Sequence, residues 1–92
     1  MEALGEVFIG KKPAMNYVSA ALLQLAEKSK ICVKARGRMI AKAVTVAEMI
    51  KRFNKNIDVE SIKIGSEERT AENAGRTRYV SIIEILLSKK EA

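Results

Sequence analysis

The spacing of apolar residues switches between two periods along the chain, and each switch marks a new element. Glu6-Val7-Phe8-Ile9, closed by Gly10, is long enough for one strand and too short for a helix. From Pro13 to about Lys28 the spacing is helical. Ala14, Met15, Val18, Ala21, Leu22, Leu25 and Ala26 share one face, and Asn16, Tyr17, Gln24 and Glu27 lie on the other. Proline suits the first helical position, where a missing N–H costs nothing, so Pro13 marks the helix start. Ile31-Cys32-Val33, continuing through Lys34-Ala35-Arg36, reads as a second strand after the turn residues Lys28-Ser29-Lys30. Strand, helix and strand within this length imply a right-handed crossover and parallel pairing.

Gly37 ends the second strand, and helical spacing resumes from Arg38 to about Phe53. Ile40, Ala43, Val44, Ala47 and Ile50 form one face, which Met39, Val46, Met49 and Phe53 widen sideways. One sheet covers only part of so wide an arc, so the second patch is expected to meet another protein chain. After the polar turn Asn54-Lys55-Asn56, Ile57 to Arg69 carries the alternating Ile62 and Ile64 of a strand. Thr70 to Gly75 is a polar turn, and Arg76 to Ser88 alternates again. Ile83, Ile85 and Leu87 lie on one side of that last strand, with Val80, Ile82 and Leu86 on the other and Glu84 among them. Helices on one side of such a sheet leave the other face partly exposed, a second pointer to self-association. The reading is α/β: one domain over residues 1–92, with no internal repeat, low-complexity segment or linker.

Charge gives this scaffold a direction. Seventeen Lys and Arg against eleven Asp and Glu leave a net charge of +6, which points to polyanions such as nucleic acid or an anionic membrane. From Lys28 through Ala47 the chain holds Lys28, Lys30, Lys34, Arg36, Arg38 and Lys42 and no acid. Gly10-Lys11-Lys12 follows the first strand and Arg36-Gly37-Arg38 the second. In parallel units both loops emerge at the same sheet edge, where helix N-termini already favour anions. Lys11, Lys12, Arg36, Arg38 and Lys42 are therefore candidate phosphate contacts. A third basic group, Arg69, Arg76 and Arg78, lies on the final hairpin among Glu67, Glu68 and Glu72. Its arginines either reach into a nucleic-acid groove or pair with those glutamates.

Other chemistries find little support. Only 4% of the residues are aromatic and none is Trp, so the core must be aliphatic and no rich platform exists for stacking bases. The single cysteine, Cys32, forms no intrachain disulfide and reads as a buried thiol in a reducing compartment. With no histidine in the chain, nothing activates it as a nucleophile. Gly-Lys-Lys-Pro lacks the second glycine and the Lys-Ser or Lys-Thr of a nucleotide-binding loop. Metal sites lack histidine and paired cysteines, and Glu67 beside Glu68 is an ordinary surface pair, so no enzyme, metal or cofactor is expected. Met1-Glu2-Ala3-Leu4-Gly5-Glu6 is not a leader pattern, and no stretch is apolar enough to span a bilayer. Because the basic residues gather at loops and flank no aromatic-rich face, a soluble cytoplasmic protein without a membrane partner is expected.

Two long motifs, Ile9-Gly10-Lys11-Lys12-Pro13-Ala14-Met15-Asn16-Tyr17-Val18 and Val33-Lys34-Ala35-Arg36-Gly37-Arg38-Met39-Ile40-Ala41-Lys42-Ala43-Val44, resemble the Alba family of archaeal chromatin proteins. Arg52-Phe53, Ile62-Lys63-Ile64-Gly65 and Val80-Ser81-Ile82-Ile83-Glu84-Ile85 continue the resemblance in order, over nearly the whole chain. The resemblance implies a two-layer βαβαββ domain, with two helices on a four-stranded mixed sheet and a long C-terminal β-hairpin. That fold is similar to the C-terminal domain of translation initiation factor three. It also implies homodimers that bind double-stranded DNA and RNA without strong sequence preference, coating and compacting DNA in the nucleoid. On the same ground Lys11 matches an acetylation site that tunes affinity, which makes an acetyltransferase and a deacetylase possible partners. Lys12, Asn16, Tyr17, Arg36 and Arg38 match nucleic-acid contacts, and the stretch around Arg76 and Arg78 matches arms that follow the minor groove. Phe53 matches a phenylalanine through which dimers meet side by side, forming higher oligomers on DNA. The chain departs from the pattern in two places. Ala47 to Phe53 is one residue shorter, and Asn54-Lys55 replaces the usual Leu-Pro. The alternatives are a primarily RNA-binding protein, as a chaperone or ribonucleoprotein subunit, and an adaptor for an acidic protein.

Overall fold

The structure, a computed structural model, describes residues 4–71 and 75–90. Its elements are β1 (Leu4–Phe8), α1 (Ala14–Leu25), β2 (Lys30–Arg36), α2 (Ile40–Phe53), β3 (Ile57–Ala71) and β4 (Arg76–Lys89). A short 3-10 turn, Gly37–Met39, leads into α2. The strands form a mixed sheet ordered β1-β2-β4-β3. β1 and β2 are parallel, as the crossover demands, and β4 is antiparallel to both β2 and β3. The βαβαββ order and the two layers are those expected from the sequence. Among the described residues no helix is long and apolar enough to cross a membrane.

Strand register sorts the side chains. Val7 stands opposite Val33, and Val33 opposite Ile85, so these residues share the helix-side face with Ile31 and Leu87. Val18, Ala21 and Leu25 of α1 and Ala43, Val46, Ala47 and Ile50 of α2 close over them. The core is aliphatic, as the composition requires. Truncating a fully buried member such as Ile50 to alanine costs about 2–5 kcal/mol in a packed interior.

Several details depart from the sequence reading. α1 ends at Leu25, short of Lys28; beyond it the Glu27 and Lys28 N–H groups both bond back to the Gln24 carbonyl, at 3.1 and 2.8 Å, and close a turn. Pro13 precedes the helix as its cap residue, with ψ near 149°, and its carbonyl accepts from the Asn16 N–H at 3.0 Å. Tyr17 packs against the core; it does not lie on the polar face. In α2 the buried stripe runs i, i+3, i+4, i+7 from Ala43, so Val46 is central while Val44 and Phe53 remain exposed. Gly37 has φ +55°, a conformation glycine adopts without strain, and it swings the chain from β2 into the 3-10 turn. Part of the polar turn expected over Thr70 to Gly75, at 72–74, lies outside the described residues.

β3 carries a bulge at Glu60: Val59 stands opposite Leu87, whereas Ser61 stands opposite Leu86. The extra residue reverses the side-chain parity. Ile62 and Ile64 therefore join the helix-side face opposite Ile85 and Ile83, but beyond the cover of the helices, and they are 58% and 76% exposed. The open face of the sheet carries Phe8, Cys32, Lys34, Ile82, Glu84 and Leu86. Cys32 is buried there, outside the helix-side core, and burial pushes its thiol above the ordinary value.

Candidate nucleic-acid interface

Because β1 and β2 run parallel, the connections β1–α1 and β2–α2 leave the sheet at one edge. Lys11 and Lys12 are exposed in the first of them, on a backbone fixed from two sides. The Tyr17 hydroxyl accepts hydrogen bonds from the Gly10 and Lys12 N–H groups, at 2.9 and 3.1 Å. The Lys42 ammonium donates to the Gly10 and Lys12 carbonyls, at 2.8 Å each. Tyr17 lies one turn into α1, and helical side chains lean toward the N-terminus, which carries its hydroxyl back over the loop. A Cβ at position 10 would lie 3.0 Å from that hydroxyl, so glycine permits the close approach. α1 has no side-chain cap and no acid in its first turn. Its leading N–H groups stay available to an anion beside the two lysines.

Sequence reasoning treats Tyr17 and Lys42 as nucleic-acid contacts; the geometry gives both a structural task first. The four-residue step from Pro13 to Tyr17 is a local signal for this role. Nothing local marks Lys42, whose partners lie 32 and 30 residues away.

In the second connection Arg36 and Arg38 are exposed. Arg36, on the open face opposite Ile82, reaches the Glu67 carboxylate of β3 at 3.2 Å, and Arg69 approaches the same oxygen at 3.6 Å. Arg38 makes none of the ion pairs found among the described residues. Asn16, exposed in the first turn of α1, belongs to the same edge. The edge thus brings together Lys11, Lys12, Asn16 and Arg38, with Arg36 tied to the hairpin.

On the hairpin, Arg69 stands directly opposite Arg78. Pairing with a glutamate describes Arg69, and the Tyr79 hydroxyl donates to Glu68 at 3.4 Å. Arg76 and Arg78 are exposed and make none of the ion pairs found among the described residues. Glu72 lies outside the described residues. Phe53 ends α2, roughly 20 Å along the helix axis from the basic edge, and it too is exposed.

The family profile of Alba matches residues 5–66, which take in both basic connections and both helices. The chain belongs to the Alba family. It is 48% identical over 90 residues to the DNA/RNA-binding protein Alba 1 of Archaeoglobus fulgidus, a match covering 96% of this chain and 99% of that one. To the DNA/RNA-binding protein Alba of Nanoarchaeum equitans it is 51% identical over 88 residues, 92% of this chain and 98% of the relative. The structure of Alba from Thermoplasma volcanium aligns with a TM-score of 0.83 at 42% identity, covering 92% of this chain and 100% of that one. The Alba profile ends before the hairpin arginines Arg69, Arg76 and Arg78, so the basic edge lies within the family match and those arginines do not.

Proposed function

We propose that the chain is a non-catalytic, homodimeric protein that coats and compacts double-stranded DNA without sequence preference, also binds RNA, and acts as one domain over residues 1–92. The observation that carries this reading is the convergence of two basic strand-to-helix connections on one sheet edge, the first held in place by Lys42 of α2. Lys11, Lys12, Asn16 and Arg38 meet phosphates there, and Arg36 joins them by exchanging the Glu67 carboxylate for a phosphate oxygen. Arg76 and Arg78 follow the neighbouring groove. Tyr17 and Lys42 serve the interface from behind the loop. The names of the relatives from Archaeoglobus and Nanoarchaeum support both nucleic acids as partners.

Self-association is supported by the exposed apolar group Val44, Ile62 and Ile64 beside α2, where a second copy would complete the cover of β3. Exposed Phe53 suits contacts between dimers along DNA. Exposed Lys11 suits reversible acetylation by a dedicated enzyme pair, which would remove one charge at the loop. In the cell this reading places the protein in the cytoplasm with the nucleoid.

Gel-shift and sedimentation titrations on DNA and RNA of equal length test the reading. If about four to six phosphates are neutralised on duplex DNA, log affinity falls with log salt at a slope of about −4 to −5. A flat response removes the mechanism. A large preference for structured RNA would instead put RNA first, and the names of the relatives, which print DNA and RNA together, are compatible with either order.

A further inference from the structure

The open face of the sheet holds a recess of about 270 Å³ whose walls include Phe8, Lys34, Arg36, Glu67, Ile82 and Glu84. Strand register places all six on the side away from the helices and away from the Val44, Ile62 and Ile64 patch. Phe8 ends β1 immediately before the basic connection and is 63% exposed. The Lys34 ammonium stands 5.5 Å from the centre of its ring, steered by the Glu6 carboxylate at 2.7 Å. Glu84 is half-buried, yet it makes none of the ion pairs found among the described residues. The recess thus offers an aromatic face, two cations and a carboxylate with unused accepting capacity.

We propose that this recess takes one unpaired nucleobase, stacked on Phe8 with its amino edge toward Glu84, from a single strand whose phosphate rests at Lys11. The inference rests on the nucleic-acid reading above and adds a second surface to it. Lys11 lies three positions beyond Phe8, so their Cα atoms are at most roughly 11 Å apart, within reach of a short piece of single strand. Every base has a π-face that stacks on an aromatic ring, and a nearby cation strengthens such a site. A carboxylate accepts from the exocyclic amino groups of cytosine, adenine and guanine. Uracil presents a carbonyl oxygen where cytosine carries its amino group, and a carboxylate repels it. Duplex bases are already paired and stacked, so duplex binding at the basic edge leaves the recess unused.

The test titrates the full chain with short oligocytidylate, short oligouridylate and a blunt DNA duplex at one salt concentration, using the unaltered protein, Phe8→Leu and Glu84→Gln. The unaltered chain should bind oligocytidylate more tightly than oligouridylate. Phe8→Leu should weaken oligocytidylate binding at least about fivefold and leave duplex binding within about twofold. Glu84→Gln should erase the cytosine preference and leave duplex binding unchanged. Equal affinity of the unaltered chain for the two oligonucleotides overturns the proposal. So does a Phe8→Leu loss of the same size on duplex and single strand, or no loss at all. Sedimentation of Phe8→Leu supplies a further check, since a dimer that falls apart means a second copy covers this face, and the base-binding proposal then fails. Binding to neither nucleic acid sinks the parent reading as well, whereas duplex binding without single-strand binding sinks this inference alone.

Discussion

The Lys42 ammonium donates to the Gly10 carbonyl at 2.8 Å across 32 residues of sequence, and so a side chain of α2 fixes the loop that opens α1. If Lys42 positions Lys11 and Lys12 without meeting a phosphate itself, Lys42→Met weakens duplex binding about fivefold, the equivalent of roughly 1 kcal/mol. The salt slope should stay nearly unchanged, whereas Lys12→Gln should make it shallower by about one unit. Salt-dependent titrations of the two variants check this. A full-unit change for Lys42→Met would make Lys42 a phosphate contact in its own right.

Lys11 is exposed and free of the bonds that pin the loop backbone, so changes to its side chain should read out as charge alone. Lys11→Gln, or acetylation of Lys11, should reduce affinity and lower the magnitude of the salt slope by about 0.9 on duplex DNA. Lys11→Arg should retain both. Equal slopes for Lys11→Gln and the unaltered chain would remove Lys11 from the set of phosphate contacts.

Ile64 is 76% exposed, so a charge at this position should spare the fold of one chain while disrupting a pairing of two. Sedimentation equilibrium is expected to show a dimer for the unaltered protein and a monomer for Ile64→Glu. The melting temperature of the unaltered protein should also rise with concentration, and that dependence should vanish in the variant. Persistence of the dimer in Ile64→Glu would move the interface to another face.

The bulge residue Glu60 pairs with Lys30 at 3.1 Å, and the hydrogen bond from Lys30 holds its carboxyl below the ordinary value of 4.5. A carboxyl with a lowered folded-state pKa favours folding where it is charged. Its contribution is therefore present above pH 4.5 and is lost as the pH falls through the lower folded-state value. Both side chains are exposed, so the contribution is small and screened by salt. Thermal melts of the unaltered protein and Glu60→Gln should differ most at neutral pH and converge in acid.

Some of this architecture is legible in the sequence because it depends on neighbours along the chain. Apolar periods reveal the order of the elements, and Lys11-Lys12 and Arg36-Gly37-Arg38 are visible as loops once β1 and β2 are read as parallel. The rest depends on distant contacts. Lys42 looks like any other residue of a basic cluster until Gly10 and Lys12 are seen beside it. Val46 looks peripheral until the position of the sheet under α2 is known. The bulge at Glu60 reverses the faces of everything after it in β3, so alternation alone cannot say which side Ile62 and Ile64 occupy. Phe8 fits a strand pattern equally well as a core residue or as an exposed ring, and only the register against Lys34 decides between them.

The direct opposition of Arg69 and Arg78 sets two like charges face to face on a two-stranded ribbon with no helix beneath it. Such pairs oppose strand pairing by a few tenths of a kcal/mol. In the free protein the arm is therefore slightly self-repelling, and among the described residues Glu67 relieves the Arg69 side alone. Added salt then acts on it with two opposite signs: it quiets the quarrel between the two guanidinium groups and stiffens the empty arm, while weakening the arm's hold on any polyanion.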